Sequence, residues 1–77
     1  MTTELSKKIH MLLVSEMGPI GKFIVKKQCQ DLGIDPDSIE EEDLPRLSDA
    51  IENAIVNFTG KEKANMIKWT IRKMAKK

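Results

Sequence analysis

Cys29 and His10 are the only residues of their types in this 77-residue chain. Between them they bound the covalent and metal chemistry it can perform. A thiol nucleophile needs a base within hydrogen-bond reach, and a structural zinc site needs several Cys or His ligands at short spacings. One of each, with no serine-centred motif beside them, gives neither constellation. Cys29 reads as a small filler at the edge of an apolar helix face, and His10 as a packing residue beside another. No catalytic, cofactor-binding or metal-binding residue is expected, and no cofactor. A lone cysteine also excludes an internal disulfide.

Two segments touch motifs for phosphate or calcium. Gly18-Pro19-Ile20-Gly21 has the bare GxxG pattern of the RNA-binding KH module, but Pro19 removes one of the backbone N–H groups that such a loop offers to the nucleic-acid backbone. A P-loop fails on length and on Phe23, which stands where Ser or Thr is needed after Lys22. The run from Asp35 to Asp43 holds six acidic residues and no basic one. An EF-hand starting at Asp35 needs Gly at its sixth position and Glu at its twelfth. Glu40 and Arg46 occupy those places, so the run reads as a solvated or docking loop.

Trp69 is the residue whose position asks for a partner. The helix that carries it places Ala64, Ile67, Ile71 and Met74 on one face at three-four spacing. Trp69 falls almost opposite, with Asn65, Arg72, Lys73 and Lys76 as its neighbours at about 100° per residue. An aromatic among cations suits an anchor in a contact surface. It also suits a ring lying over the stems of its own neighbours or under the N-terminal segment. From Lys61 to Lys77 there are seven basic residues against Glu62 alone, a footprint that phosphates would also recognise.

Four helices are needed to position these groups. The first spans about residues 3–16, with Thr3 as cap and Leu5, Ile9, Leu12 and Leu13 on one face. Gly18-Pro19 makes the corner, since Gly accepts positive φ past a helix end and Pro suits the first turn of the next. The second helix, 19–32, carries Ile20, Phe23, Ile24, Val25, Cys29 and Leu32 over more than half its circumference, which predicts a central helix packed on two sides. Gly33 ends it. An acidic loop, 34–43, follows, with Ile34 and Ile39 turned inward. The third helix, 43–59, has Asp43 as N-cap, Pro45 in its first turn, and a stripe of Leu44, Leu47, Ile51, Ala54, Ile55 and Phe58. Gly60 closes it. The fourth, 61–74, starts with capping-box spacing between Thr59 and Glu62.

No alternating run of strand length interrupts this pattern. The expected fold is therefore all-α: a compact bundle of four short helices in a single domain over residues 1–77. A core this small is marginal alone, so self-association is a natural aid. The formal net charge of +1 hides a strong separation between acidic loop and basic C-terminal helix. No signal sequence or membrane-length apolar run is seen, which predicts a cytoplasmic protein without a membrane partner.

The stretch Glu16-Met17-Gly18-Pro19-Ile20-Gly21-Lys22-Phe23-Ile24-Val25-Lys26-Lys27 is similar to a short helical domain found near the C-termini of prokaryotic signalling proteins such as serine/threonine kinases and nucleotide cyclases. The match lies where Gly-Pro-Ile opens that domain's central helix. Beyond it, only the order of helix, acidic loop, helix, helix agrees. The resemblance implies a non-catalytic accessory or interaction module. Only Gly18 and Pro19 carry over, as structural residues. No kinase or cyclase accompanies the segment in these residues, which leaves the partner and the signalling role open.

Together these observations predict a non-enzymatic protein–protein interaction module, signalling-associated or homodimerising. Its contact face is Asn65, Trp69, Arg72, Lys73 and Lys76. The partner is another protein or a second copy, with an acidic surface favoured and the Asp35–Asp43 loop as one candidate. The alternative is a nucleic-acid-binding protein using the same basic helix.

Overall fold

The computed structural model describes residues 3–75. Four helices form an all-α bundle: α1 (Glu4–Met17), α2 (Ile20–Leu32), α3 (Leu44–Thr59) and α4 (Lys61–Arg72). Among the described residues there is no strand. No helix is long and apolar enough to cross a membrane.

Thr3 caps α1 from extended backbone. Its Oγ1 accepts the Ser6 amide at 3.2 Å, while Glu4 in the first turn suits the helix dipole. Gly18 then leaves the helix at φ 78°, and its amide donates to the Val14 carbonyl at 2.8 Å. Pro19, at φ −57°, sets the first turn of α2. The corner folds α2 back on α1 so closely that a Cβ on Gly21 would run into the Leu13 carbonyl and the Val14 amide. The GxxG spacing therefore records a backbone-to-backbone approach between two helices.

At the other end of α2, Gly33 takes the left-handed conformation (φ 73°, ψ 26°). The Ile34 amide donates to the Cys29 carbonyl at 2.8 Å and the Gly33 amide to the Gln30 carbonyl at 3.2 Å. This is a Schellman motif, and buried Ile34 makes its apolar contact. The loop beyond is clipped to α1. The Thr3 amide donates to the Asp37 carbonyl (2.9 Å), Thr3 Oγ1 to the Ile39 carbonyl (3.1 Å), and the Ile39 amide to Ser6 Oγ (2.9 Å). Ser6 and Ile39 are both buried as a result.

Asp43 stands at the N-cap position of α3 as expected, but its side chain makes no cap bond to α3. The box closes around Glu40: its amide donates to Asp43 Oδ2 at 3.0 Å, and a 3-10 turn, Glu41–Asp43, runs straight into α3. Asp43 is thus the third residue of a box begun three positions earlier, which four consecutive acidic side chains conceal in the sequence. The capping box expected at Thr59 and Glu62 is likewise absent. Thr59 remains the last residue of α3 and donates to the Ile55 carbonyl at 3.2 Å, while Gly60, at φ 89°, makes the corner alone.

The core gathers on α3. Leu44, Leu47, Ile51 and Ile55 are fully or almost fully buried, as are Ile9 and Leu13 of α1, Val25 and Cys29 of α2, and Ala64, Ile67 and Ile71 of α4. The molecule is two helical hairpins, α1–α2 and α3–α4, joined by the packing of α2 on α3. Helix α2 touches both α1 and α3, but through one side: Gly21, Val25 and Cys29 are its buried residues, and Ile20 and Phe23 face out. Phe58 also faces out, although it continues the α3 stripe. It lies in the last turn of α3, beyond the last buried position, Ile55, so the helix outruns the core there.

Two substitutions test this packing. Gly21→Ala meets backbone rather than a mobile side chain, so it should force α1 and α2 apart and cost about 1–3 kcal/mol. Ser6→Ala strands the buried Ile39 amide and should cost a similar ~1–3 kcal/mol. Urea unfolding followed by circular dichroism checks both, with solvent-facing Gln30→Ala as the near-neutral control.

Candidate interaction surface

Burial of Ala64, Ile67 and Ile71 fixes the rotation of α4. Asn65, Lys68 and Arg72 then lie along the flank that meets α3, and Met66, Trp69 and Lys73 point outward. On the facing flank of α3 stand Ser48, Asp49 and Glu52. Arg72 donates from Nε to Ser48 Oγ at 3.0 Å and from Nη2 to Asp49 Oδ1 at 3.0 Å. Ser48 is fully buried and donates to the Pro45 carbonyl at 3.0 Å. Lys68 Nζ sits 3.2 Å from Glu52 Oε1 and 3.9 Å from Asp49 Oδ1. Asn65 donates to Glu52 Oε2 at 3.3 Å. The Asn65 hydrogen bond, with Lys68 beside it, holds the Glu52 carboxyl below the ordinary carboxylate range.

These contacts arrange Trp69. The Arg72 guanidinium lies 5.0 Å from the indole centroid and the Lys68 ammonium 5.4 Å, both within cation–π range. The two cations are tied to α3, so they hold the ring from the inner side while 47% of the residue stays exposed. Met66, one turn earlier, is 51% exposed beside it.

Of the five residues expected to form the contact face, Asn65, Trp69 and Lys73 are exposed and Arg72 is half-buried. Asn65 and Arg72 have their polar groups turned to α3. Lys76 lies outside the described residues. Met66 and Lys68 belong to the surface and were not anticipated. Met66 was legible as the i−3 neighbour of Trp69. Asp49 and Glu52, which hold the cations, are one turn apart on α3, but nothing local says that they face α4.

The acidic run stays largely in solvent. Asp35, Asp37, Glu40, Glu41 and Glu42 are exposed, while Asp43 pairs with Arg46 at 3.5 Å. Glu40, Glu41 and Glu42 line a groove of about 610 Å³ with Leu5, Lys8 and Met74. Among the described residues no grouping of three His, Cys, Asp or Glu side chains could hold a metal ion. Burial pushes the Cys29 thiol up to about 11, with Asp43 and Asp35 adding, so it stays protonated at neutral pH. His10 is half-buried, and its Nε2 is closed off from solvent without a hydrogen-bond partner among the described residues. Burial pulls its pKa below 6.5 against Asp37 and the Ser6 backbone, with Lys22 and Lys26 pulling the same way as burial.

The histidine has a measurable consequence. The unfolded chain takes up a proton near pH 6.5, whereas folded His10 takes it up only at lower pH. Stability should therefore fall as pH drops from about 7 to about 5.5, above most carboxylate titration. His10→Gln should flatten that slope, read from urea unfolding at each pH.

In comparison with known proteins, the chain matches no family model, no curated protein and no solved structure.

Proposed function

We propose that this domain is a non-enzymatic protein-interaction module that docks an acidic partner protein on the outer face of α4, with Trp69 as anchor. The observation that carries the reading is a half-exposed tryptophan already held in place. Arg72 and Lys68 brace the ring, and both are fixed by carboxylates of α3. An anchor whose side chain is ordered before binding loses less conformational freedom on association. Lys73 supplies positive charge at the rim without a carboxylate in ion-pair range among the described residues, and it favours acidic partners in the encounter. A place in signal relay is the use that the Gly18–Pro19 resemblance suggests.

The partner is better sought in another chain than in a second copy. The acidic loop of a copy offers charge, but its apolar residues Ile34 and Ile39, with Leu44 beyond, are buried. It would bring carboxylates and little apolar surface for the indole. The nucleic-acid reading draws on the same helix, and internal pairing weakens it. Lys63 is bound to Glu16 at 2.9 Å, Lys68 to Glu52, and Arg72 to Asp49, so three of the cations are already partly neutralised.

Affinity capture with chemical cross-linking, wild type against Trp69→Ala, tests the reading. A captured partner should lose about 30-fold or more in affinity with the variant, the size of a hot-spot loss. Equal capture by both forms would overturn the proposal. A steep fall of binding with salt, together with recovered nucleic acid, would favour the rival.

A further inference from the structure

A second recess lies on the opposite hairpin. Its volume is about 410 Å³, and it is lined by His10, Met11, Val14 and Ser15 of α1 and Lys22 of α2. Met11 is 70% exposed and Val14, one turn on along the same helix flank, is 40% exposed. Lys22 forms part of the rim. Lys26 follows one turn later on α2, and both lie near enough to His10 to act on its charge. Lys7 precedes Met11 by one turn of α1.

The cations of this molecule divide into two groups. Lys27, Arg46, Lys63, Lys68 and Arg72 each have a carboxylate partner within 4 Å. Among the described residues, Lys7, Lys8, Lys22, Lys26, Lys61 and Lys73 have none, and of these Lys22 and Lys26 act on His10 at the recess. The recess thus combines exposed apolar side chains of α1 with Lys22 on the α2 side and Lys26 nearby, while Asp37 also acts on His10 from the loop.

We propose that this α1–α2 recess is a docking site for an acidic amphipathic helix of another protein. Two antiparallel helices leave a groove along which a third can lie. Apolar residues at i and i+3 or i+4 of the incoming helix would meet Met11 and Val14, and its flanking carboxylates would meet Lys7, Lys22 and Lys26. Charge complementarity selects the acidic partner. A second copy of this chain fits poorly. Of its exposed aromatics, Trp69 lies against Lys68 and Arg72, and Phe23 and Phe58 lie outside the acidic run, whose own apolar residues Ile34 and Ile39 are buried. An anionic lipid surface is the rival occupant, and vesicles test it. The site shares no residue with the Trp69 face and stands independently of it.

The test is a titration of the isotope-labelled protein, followed by amide chemical shifts. The probe is a synthetic peptide of about 14 residues with leucines at i, i+3, i+4 and i+7 and glutamates among alanines elsewhere. A second peptide replaces every glutamate with lysine. Saturable shifts at Met11, Val14, Ser15, Lys22 and Lys26 with the acidic peptide alone support the site. Lys22→Glu with Lys26→Glu should weaken it about tenfold or more and turn the preference toward the basic peptide. Met11→Glu should weaken it without that turn, and Trp69→Ala should leave it within about twofold. These positions are exposed, and the dispersion of the variants' spectra reports folding directly. Equal binding of both peptides, shifts centred on α4, no saturable shift to about 1 mM, or binding to phosphatidylserine vesicles in place of the peptide would each overturn the assignment.

Discussion

Helix α3 is the element on which the two hairpins close. Leu44, Leu47, Ile51 and Ile55 are buried along its length, and it packs against both α2 and α4. A chain of 77 residues buries a modest share of its surface, so one shared stripe must serve both hairpins. The other constraints support that arrangement. The Thr3–Ser6–Ile39 clip brings the acidic loop against α1 and delivers α3 to its place. The bare contact at Gly21 sets the α1–α2 spacing. Loss of either would move the first hairpin relative to α3, which touches it only through α2 among the major packings.

The same stripe sorts the charges. Once Ile51 and Ile55 face the core, Asp49 and Glu52 must stand on the flank toward α4. Ala64, Ile67 and Ile71 must in turn place Asn65, Lys68 and Arg72 opposite them. A pairing at 3.0 Å that also reaches a fully buried serine is more constrained than a solvent-exposed ion pair, because Arg72 is held at two nitrogens. The basic character of α4 that stands out in the sequence is therefore partly consumed inside the fold. The lysines of α1 and the first turns of α2 meet no such flank. Among the described residues, unpaired charge therefore remains on both hairpins, at Lys61 and Lys73 of α4 and at Lys7, Lys8, Lys22 and Lys26 of α1 and α2.

Helix periodicity and corner chemistry were legible in the sequence because both are local. Gly18, Gly33 and Gly60 all adopt positive φ (78°, 73° and 89°), a demand that glycine meets without a neighbour's help. The stripes of α1, α3 and α4 followed from spacing alone. What the sequence concealed was set by neighbours. Ile20, Phe23 and Phe58 have the right type for a core but lie where no helix covers them. The Asp43 side chain turns back to the Glu40 amide, in a loop already pinned by Ser6 at Ile39. Gly21 resembled part of a phosphate loop and is instead the place where two backbones meet. At the candidate site, Trp69 was legible as an aromatic off the core stripe. Its bracing by α3 was not, because that depends on the rotation of one helix against another.

A domain this small cannot hide every apolar side chain, so exposure alone separates little. Phe58 and Phe23 are more exposed than Trp69, yet among the described residues no cation braces either ring. Trp69 combines a large apolar surface with a fixed orientation, and Met11 combines a flexible thioether with a recess beside it. These two combinations suit different tasks. A braced indole loses little freedom on binding and so contributes mainly to how long a complex lasts. An adaptable methionine with Lys22 beside it would tolerate varied apolar side chains, with charge favouring acidic partners. The two proposed faces thus fall on different hairpins, the braced indole on α3–α4 and the adaptable methionine on α1–α2. Helix α3 holds the two hairpins in a fixed relation because α2 and α4 both pack on it.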